Sequence, residues 1–377
     1  MKDTPLAYIE LSKNNLVFNL KQFKKFAKEG TKFVVVIKGN AYGHGQNEIA
    51  KIAGPYADYF QVDGIEELAD LRRVSKKKVL LLGYVQKNDL RKAARLGCIL
   101  SVFSIEQVNA ISAMADMSGI AQEIHICIDA YLGREGFLLK DLPAVFKEIQ
   151  KHKSLKLSGI YAHFANIEDT TNFSHAQKQI DTYKKAVALA EQHGFKNLQT
   201  HISSTAGLLA YEKNKGVHSI VRLGIGTYGM WPSEALRKMY TNKITIKPVL
   251  TWKTKVAEVK ILPKGSTIGY GLTYKTTKAT RVALIPQGYS DGVDRGLSNK
   301  GYALIHGTRC KILGRVMMNM FSVDVSHLPK VKIEDEAVIL GRQGKEEITA
   351  EEIAGKLGTI NYEITTRISA LLPKIVI

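Results

Sequence analysis

Along the first two-thirds of the chain, short apolar runs alternate with longer stretches of helical period. The runs are FVVVIK (33–38), YFQVD (59–63), KVLLLGY (78–84), ILSVF (99–103), IHICID (124–129), SGIYAHF (158–164), LQTHIS (198–203) and SIVRLGI (219–225). A run such as Phe33 to Ile37 has no polar alternation, as expected of a strand buried on both faces in a parallel sheet. Between the runs, IEELADLRR, KNDLRKAARLG, SIEQVNAISAMADM, LPAVFKEIQKH and AQKQIDTYKKAVALAEQHG place apolar residues at helical spacing. Alternating strand and helix units predict the α/β class, and eight of them predict a closed (β/α)8 TIM barrel. A doubly wound open sheet is the alternative, and the strand count favours closure.

From about residue 241 the texture changes. VLTWKTKVAEVKIL, RVALIPQG, YALIHGTRCKILGRVMM, FSVDVS and EAVILG are strand-like, separated by Gly, Pro and Asn/Asp turns, with one helix near TAEEIAGKLG. This predicts a second, C-terminal, mainly antiparallel β domain over 241–377, after a barrel domain over 1–240. The segment LAYIEL (6–11) precedes the first helix and is free to pair with the β domain instead of joining the barrel.

A chain of 377 residues is too long for one ordinary core, in keeping with two domains. The charged N-terminal segment lacks the apolar core of a signal peptide, and no apolar run reaches membrane length, so a cytoplasmic protein without a membrane partner is expected. Cys98, Cys127 and Cys310 lie far apart and suggest neither a disulfide framework nor a zinc site, and the histidines show no metal-ligand spacing. The formal charge of +19 invites a nucleic-acid reading, with RRVSKKK (72–78) as the densest run. Elsewhere the lysines are scattered along helices, as in LKQFKKFAKE, and no nucleic-acid motif accompanies them. A solvated basic surface is the expectation.

Candidate chemistry gathers at the strand ends, where barrels carry their sites. Lys38 ends the first run and is followed by Gly39, Asn40, Gly43 and Gly45. Its ordinary reading is an exit to solvent with the stem packed; the sharper one is a desolvated, imine-forming amine beside a turn that leaves room for a ligand. His163 ends the sixth run, Ser203, Ser204 and Thr205 follow the seventh, and Arg222, Gly224 and Gly226 close the eighth. Hydroxyls beside an RLGIG turn supply donors where barrel phosphate sites usually lie. Alone, the glycines read as a tight turn and His163 as a satisfied core histidine. Together with a lysine amine, a phosphate cradle suits pyridoxal 5'-phosphate.

VVVIKGNAYGHG resembles the pyridoxal-lysine motif of alanine racemases, fold-type III enzymes dependent on pyridoxal phosphate. LGREGF (132–137), GIYAHFA (159–165), HISSTAG (201–207), VRLGIGTYG (221–229), IGYGLTY (268–274), PQGYSDGVDR (286–295), GRVMMN (314–319) and GTINYEITTRI (358–368) resemble that family's later blocks, in order. The resemblance implies a homodimer with shared active sites acting on a small amino acid. It implies Lys38 as the cofactor-bearing amine and one of two bases, with Tyr270 of the second subunit as the other. A pair of bases on opposite faces inverts a stereocentre. His163 and Arg222, hydrogen-bonded in the family, would favour the Tyr270 phenolate, and Arg222 would face the pyridine nitrogen. Tyr42, Ser204, Thr205, Tyr362 and the amides of Gly224 and Ile225 would hold the cofactor's phosphate end. Arg134 would reach the cofactor's phenolic oxygen and the substrate carboxylate, which the Met318 amide would also bind. Tyr289, Arg295 and Arg315 resemble residues lining a narrow access channel.

Several positions depart from the family pattern. Many relatives carry a carbamylated lysine in the strand before the GR pair, and here that position is Cys127, which cannot carry the carbamate. Chloride, water or Asp129 is then the expected partner of Arg134, because a buried unpaired guanidinium is costly. Thr205 stands where serine is usual, Ser204 where asparagine is common, and Asn319 where aspartate is common. The expected function is alanine racemisation supplying D-alanine for peptidoglycan. Alternatives are a broader racemase for serine, lysine or arginine, a decarboxylase on the same barrel, and a pyridoxal-phosphate carrier without turnover. IGYGLTY and the complete β domain argue for the racemase.

Overall fold

The computed structural model describes residues 4–169, 171–211 and 219–377. The chain packs as two compact units, one of Val17–Ala41 with Ile49–Lys247, the other of residues up to Leu16, Tyr42–Glu48 and Pro248–Ile377. The first strand, β1 (Ala7–Leu11), belongs to the second unit.

All eight apolar runs of the first unit are parallel strands: β2 (Lys32–Val36), β3 (Tyr59–Val62), β4 (Lys78–Leu81), β5 (Ile99–Val102), β6 (Gln122–Cys127), β7 (Leu155–Tyr161), β8 (Gln199–His201) and β9 (Ile220–Leu223). Their order is β8-β7-β6-β5-β4-β3-β2-β9. The two end strands meet through Ser219 N–H donating to Thr200 O (2.8 Å) and Arg222 N–H to Ser203 O (3.0 Å), which rolls the sheet into a barrel. Helices join the strands where the sequence provides stops and starts. Ser104 caps the helix Ile105–Ser118 by accepting from Gln107 N–H, and Gly119, with φ 66°, ends it.

Inside the barrel the residue types divide. Val34, Tyr59, Leu80, Ile99 and Ile220 of β2, β3, β4, β5 and β9 form a buried apolar cluster. On β6 to β9 the buried residues His125, Tyr161, His201 and Arg222 touch one another instead. Lys38 does not directly end a strand. β2 stops at Val36, and Lys38–Tyr42 turns left-handed, with Gly39, Asn40, Ala41 and Tyr42 at φ 60°, 52°, 54° and 55°. Three non-glycine residues in that conformation cost about 1–2 kcal/mol each. The chain concentrates backbone strain immediately after Lys38.

The second unit holds β10 (Leu250–Lys255), β11 (Glu258–Leu262), β12 (Thr267–Ile268), β13 (Tyr274–Lys275), β14 (Thr280–Ile285), β15 (Tyr302–Ile305), β16 (Thr308–Leu313), β17 (Phe321–Asp324), β18 (Glu336–Gln343), β19 (Glu346–Ile348) and β20 (Lys374–Val376). Its main sheet runs β11-β14-β17-β16-β15-β18-β10-β1-β20 and is antiparallel except for β1 against β20. A helix at Ala350–Leu357 matches the sequence expectation, and a second, Asn361–Thr366, follows it. No helix of the described residues is long and apolar enough to cross a membrane.

Gly43 joins the left-handed turn to this unit. Its φ is 84°, and a Cβ there would lie 1.9 Å from the Thr365 carbonyl oxygen. Gly43→Ala is expected to destabilise the protein by about 3 kcal/mol or more. Urea unfolding of the variant beside wild type measures this, and an unchanged midpoint would contradict the packing described.

Candidate active site

Lys38, at the mouth of the barrel, donates from Nζ to Asp63 Oδ2 at 2.8 Å, and both side chains are about two-fifths exposed. Asp63 follows β3, and its loop is fixed by Glu67, which accepts from the Asp63, Gly64 and Gly39 amides. The amine is therefore held by a neighbouring strand end and remains reachable.

Arg222 on β9 lies at the centre of the polar interior, 3% exposed. Nη1 donates to His201 Nδ1 (2.6 Å) and to the His201 carbonyl (3.1 Å), while Nη2 donates to the Ala162 carbonyl (2.8 Å) and to His163 Nδ1 (3.0 Å). Its guanidinium also lies over the Tyr161 ring, 5.3 Å from the centroid. Among the described residues Arg222 has no carboxylate partner, so its charge is solvated by neutral acceptors alone. Burial lowers its pKa from the ordinary arginine value.

His163 beside it is held neutral. Burial first, and then the charges of Arg222, Arg134 and Lys38, bring the His163 pKa down from 6.5 to about 3. Because a guanidinium only donates, His163 Nδ1 must accept, and the ring proton resides on Nε2. His163 thereby presents an N–H donor on its far side. The same cations identify which sequence-expected residues the barrel gathers: Lys38, Arg134, His163 and Arg222.

On the hydroxyl side, Thr205 Oγ1 accepts from the amides of Gly224 and Gly226, both at 3.2 Å. Its own proton is then free to point elsewhere. The Gly224 amide, one of the expected phosphate donors, is thus bonded to a side chain of the same site. Ser203 Oγ is buried and has no partner among the described residues. A Cβ at Gly226 would lie 2.5 Å from Phe23 Cζ and 2.6 Å from Thr205 Cγ2, so the turn Ile225–Tyr228 tolerates no side chain at that position. Ser204 precedes the helix Thr205–Ala210.

Arg134 departs from expectation. Its guanidinium forks onto the carboxylate of Glu135, with Nη2 to Oε1 at 2.6 Å and Nε to Oε2. Asp129, the candidate partner named from sequence, instead accepts from the Leu132 and Gly133 amides at 3.0 Å each. The Cys127 thiol is buried, its pKa pushed up to about 12 by desolvation, and it points at the Glu135 carbonyl. Glu135, Asp63, His201 and His125 were not singled out from sequence. The one available signal is the register of polar residues on strands otherwise filled with aliphatics.

In the C-terminal unit the remaining expected residues form two groups. Tyr42 and Tyr362 approach ring to ring, 6.0 Å between centroids. Tyr270 stands on the short turn between β12 and β13, 72% exposed, while Ile268 and Tyr274 on either side of it pack with Val282 and Leu313. Gly271 in that turn lies against the Arg315 guanidinium. The loop after Arg315 carries Met318, whose carbonyl accepts from the Ser290 amide and hydroxyl, and Asn319, whose Nδ2 donates to Ser290 Oγ at 2.8 Å. Tyr289 adjoins through its amide on Met317 O (3.0 Å). Arg295 opens the turn Arg295–Leu297, tied to this loop where Val316 N–H donates to Ser298 Oγ. Tyr270, Tyr289 and Met318 are all exposed.

Residues 11–232 match the family model for the alanine racemase N-terminal domain, and 249–376 that for the alanine racemase C-terminal domain. The chain belongs to the alanine racemase family. It is 34% identical to the alanine racemase of Leptospira interrogans, covering 100% of this chain and 97% of that protein. With the alanine racemase of Methylacidiphilum infernorum it shares 35% identity over 97% and 91%. Among solved structures, alanine racemase from Clostridium difficile superposes with a TM-score of 0.93 at 29% identity, covering 100% of this chain and 97% of that one. That from Bacillus anthracis, solved with bound L-Ala-P, gives 0.92 at 32%, covering 100% and 96%. The eight-stranded parallel barrel and the mainly antiparallel second sheet are thus the architecture of the alanine racemase family, whose members are isomerases.

Burial of this family member's histidines couples its stability to pH. His125, fully buried, has its pKa brought down from 6.5 to about 3, by desolvation and then by Arg222. Unfolded chains take up a proton as pH falls through 6.5 while the folded state refuses it until about 3. The stability is complete above 6.5 and is lost on acidification across that window. From pH 7 to pH 5 this one group is expected to cost about 2 kcal/mol. Urea unfolding at the two pH values reads it, and His125→Asn should flatten the difference by about that amount.

Proposed function

We propose that this chain interconverts L- and D-alanine with pyridoxal 5'-phosphate, through one base from the barrel and one from the C-terminal unit of a second copy. The observation that carries the reading is the arrangement at the barrel mouth: a reachable primary amine, Lys38, in one strand-end array with an arginine that has only neutral acceptors around it. The donor set fits the cofactor. A lone amine suits an aldehyde, the orphaned Ser203 hydroxyl and the unspent Thr205 proton suit a phosphate, and Gly226 keeps side-chain atoms out of that turn. When bound, the cofactor supplies a conjugated ring that stabilises negative charge at the substrate α-carbon.

The chain's residues then divide the work. Lys38 Nζ takes or returns the α-proton on one face of the bound amino acid, and the Tyr270 hydroxyl does so on the other. His163 offers its Nε2–H to a tyrosine oxygen and so favours the phenolate, a role its fixed tautomer suits. Arg222 Nε–H, to which no described residue is bonded, would hold the pyridine nitrogen of the cofactor. An arginine does not surrender its proton, so it would leave that nitrogen unprotonated and restrain side reactions. Tyr42, Tyr362, Ser204, Thr205 and Ile225 hold the phosphate end. Arg134, oriented by Glu135, binds the substrate carboxylate together with the Met318 amide, and Tyr289, Arg295 and Arg315 line the approach.

In this reading residues 1–240, with Tyr362, bind the cofactor, 241–377 supply the second base, and the functional unit is a homodimer. The exposed Tyr270, Tyr289 and Met318, at 72, 45 and 55%, are what a surface completed by a second copy would present. Placement in the cytoplasm and supply of D-alanine to peptidoglycan complete the assignment.

Incubating the protein with L-alanine in deuterated water should remove the α-proton signal and bring optical rotation to zero; carbon dioxide release would redirect the assignment to decarboxylation. Lys38→Ala should abolish the yellow colour of bound cofactor. Tyr270→Phe should keep the colour and lose roughly a hundredfold or more of two-way conversion, and full activity in that variant would remove the two-base scheme. Glu135→Gln should raise KM for alanine about fivefold with a smaller change in kcat, measured by steady-state kinetics in both directions.

A further inference from the structure

His125 is a fully buried titratable group that the scheme above leaves unused. It sits on β6 with Nδ1 2.8 Å from His201 Nε2, the two ring centroids 5.0 Å apart. His201 Nδ1 in turn faces Arg222 Nη1 at 2.6 Å. A guanidinium has donors and no acceptor, so the direction of every bond in this line is fixed by Arg222. His201 Nδ1 accepts, its proton lies on Nε2, and that N–H donates to His125 Nδ1. The His125 proton is consequently on its own Nε2, a buried atom with no hydrogen-bond partner among the described residues.

The fold commits space to this arrangement. Gly159 on β7 forms the floor of the His125 ring, since a Cβ there would lie 2.5 Å from both Cε1 and Nε2. A glycine inside a central strand weakens it and marks a close approach. The Tyr161 ring stacks on His201 at 5.0 Å and 8°, and its hydroxyl is held by Ser101 at 2.5 Å. Both histidine rings thus pack against β7, His125 over Gly159 and His201 on Tyr161.

We propose that His125 is a positioning residue for Arg222: by accepting from His201 Nε2–H it keeps the unprotonated Nδ1 of His201 facing the guanidinium. Without that acceptor the His201 Nε2–H is left buried and unpaired, and the ring gains by shifting towards another partner. Nδ1 then draws away from Arg222 Nη1, and the guanidinium loses the acceptor that holds it in the plane in which its other edge meets His163. The functional consequence rests on the racemase reading, whereas the proton order of the relay does not.

The test crosses two variants. His125→Phe keeps ring volume and removes the acceptor; His125→Asn leaves a cavity and restores an acceptor oxygen near the Nδ1 position. The expected result is a fall in kcat of roughly tenfold for His125→Phe, the worth of one buried hydrogen bond, with KM for alanine within about twofold, and near wild-type kcat for His125→Asn. Nitrogen-15 NMR of histidine-labelled protein gives the second readout, with and without cofactor. Wild type should show His125 and His201 both bare at Nδ1 and protonated at Nε2, and His125→Phe should shift the His201 Nδ1 and Nε2 resonances as the bonds to Arg222 and to residue 125 weaken. A protonated His125 Nδ1 in wild type would overturn the relay. So would unchanged His201 shifts and kcat in His125→Phe, or a larger loss in His125→Asn than in His125→Phe, which would assign packing alone. Failure to turn over alanine would sink the racemase reading while the NMR result still decides the proton order.

Discussion

A guanidinium buried without a carboxylate is the constraint around which the barrel is organised. Taking such a charge out of water costs several kcal/mol even after relaxation, and Arg222 recovers this through three carbonyls, two imidazoles and the face of Tyr161. A carboxylate would neutralise the charge more cheaply. Neutral acceptors leave the cation electrostatically unspent, and they force both flanking histidines into a single tautomer. The division of the interior into an apolar cluster on β2 to β5 and β9 and a polar line from β6 to β9 follows from that requirement. Only a strand set supplying carbonyls at its ends and acceptors on its inner face can hold the arginine there.

The strained turn after Lys38 serves the same end by different means. Three consecutive left-handed non-glycine residues are unfavourable on their own, and they persist only where surrounding contacts determine them. Here the following glycine, Gly43, abuts the Thr365 carbonyl so closely that no other residue fits. Gly43 and Thr365 pack within the same compact unit.

Strand count and strand type were legible because they depend on local pattern, apolar runs of strand length between stretches of helical period. The relay was not. His125 and His201 are 76 positions apart, and each reads alone as an ordinary core histidine; only barrel closure brings them together. The helix Asn361–Thr366 and the short β20 escaped for the related reason that neither carries enough residues for a period to show. The compact units also cut the chain differently from a single boundary near 240. Residues 42–48 pack with the C-terminal unit through contacts, such as Gly43 against Thr365, that composition does not encode.

The surroundings of Arg134 show why residue type alone misled. With Cys127 in the strand, the buried side offers a thiol whose burial keeps it protonated, and therefore no charge. Asp129 is nearby in sequence, but an acceptor already holding two amides of its own turn has little left to give. The counter-charge comes instead from the adjacent residue, Glu135. Such a pair needs almost no chain entropy to form. Being more than half exposed on the arginine side, it contributes at most about 1 kcal/mol to stability. Its worth lies in direction: a planar fork fixes the plane of the guanidinium. Because the pair lies at the surface, it orients the guanidinium without the desolvation cost of a buried ion pair.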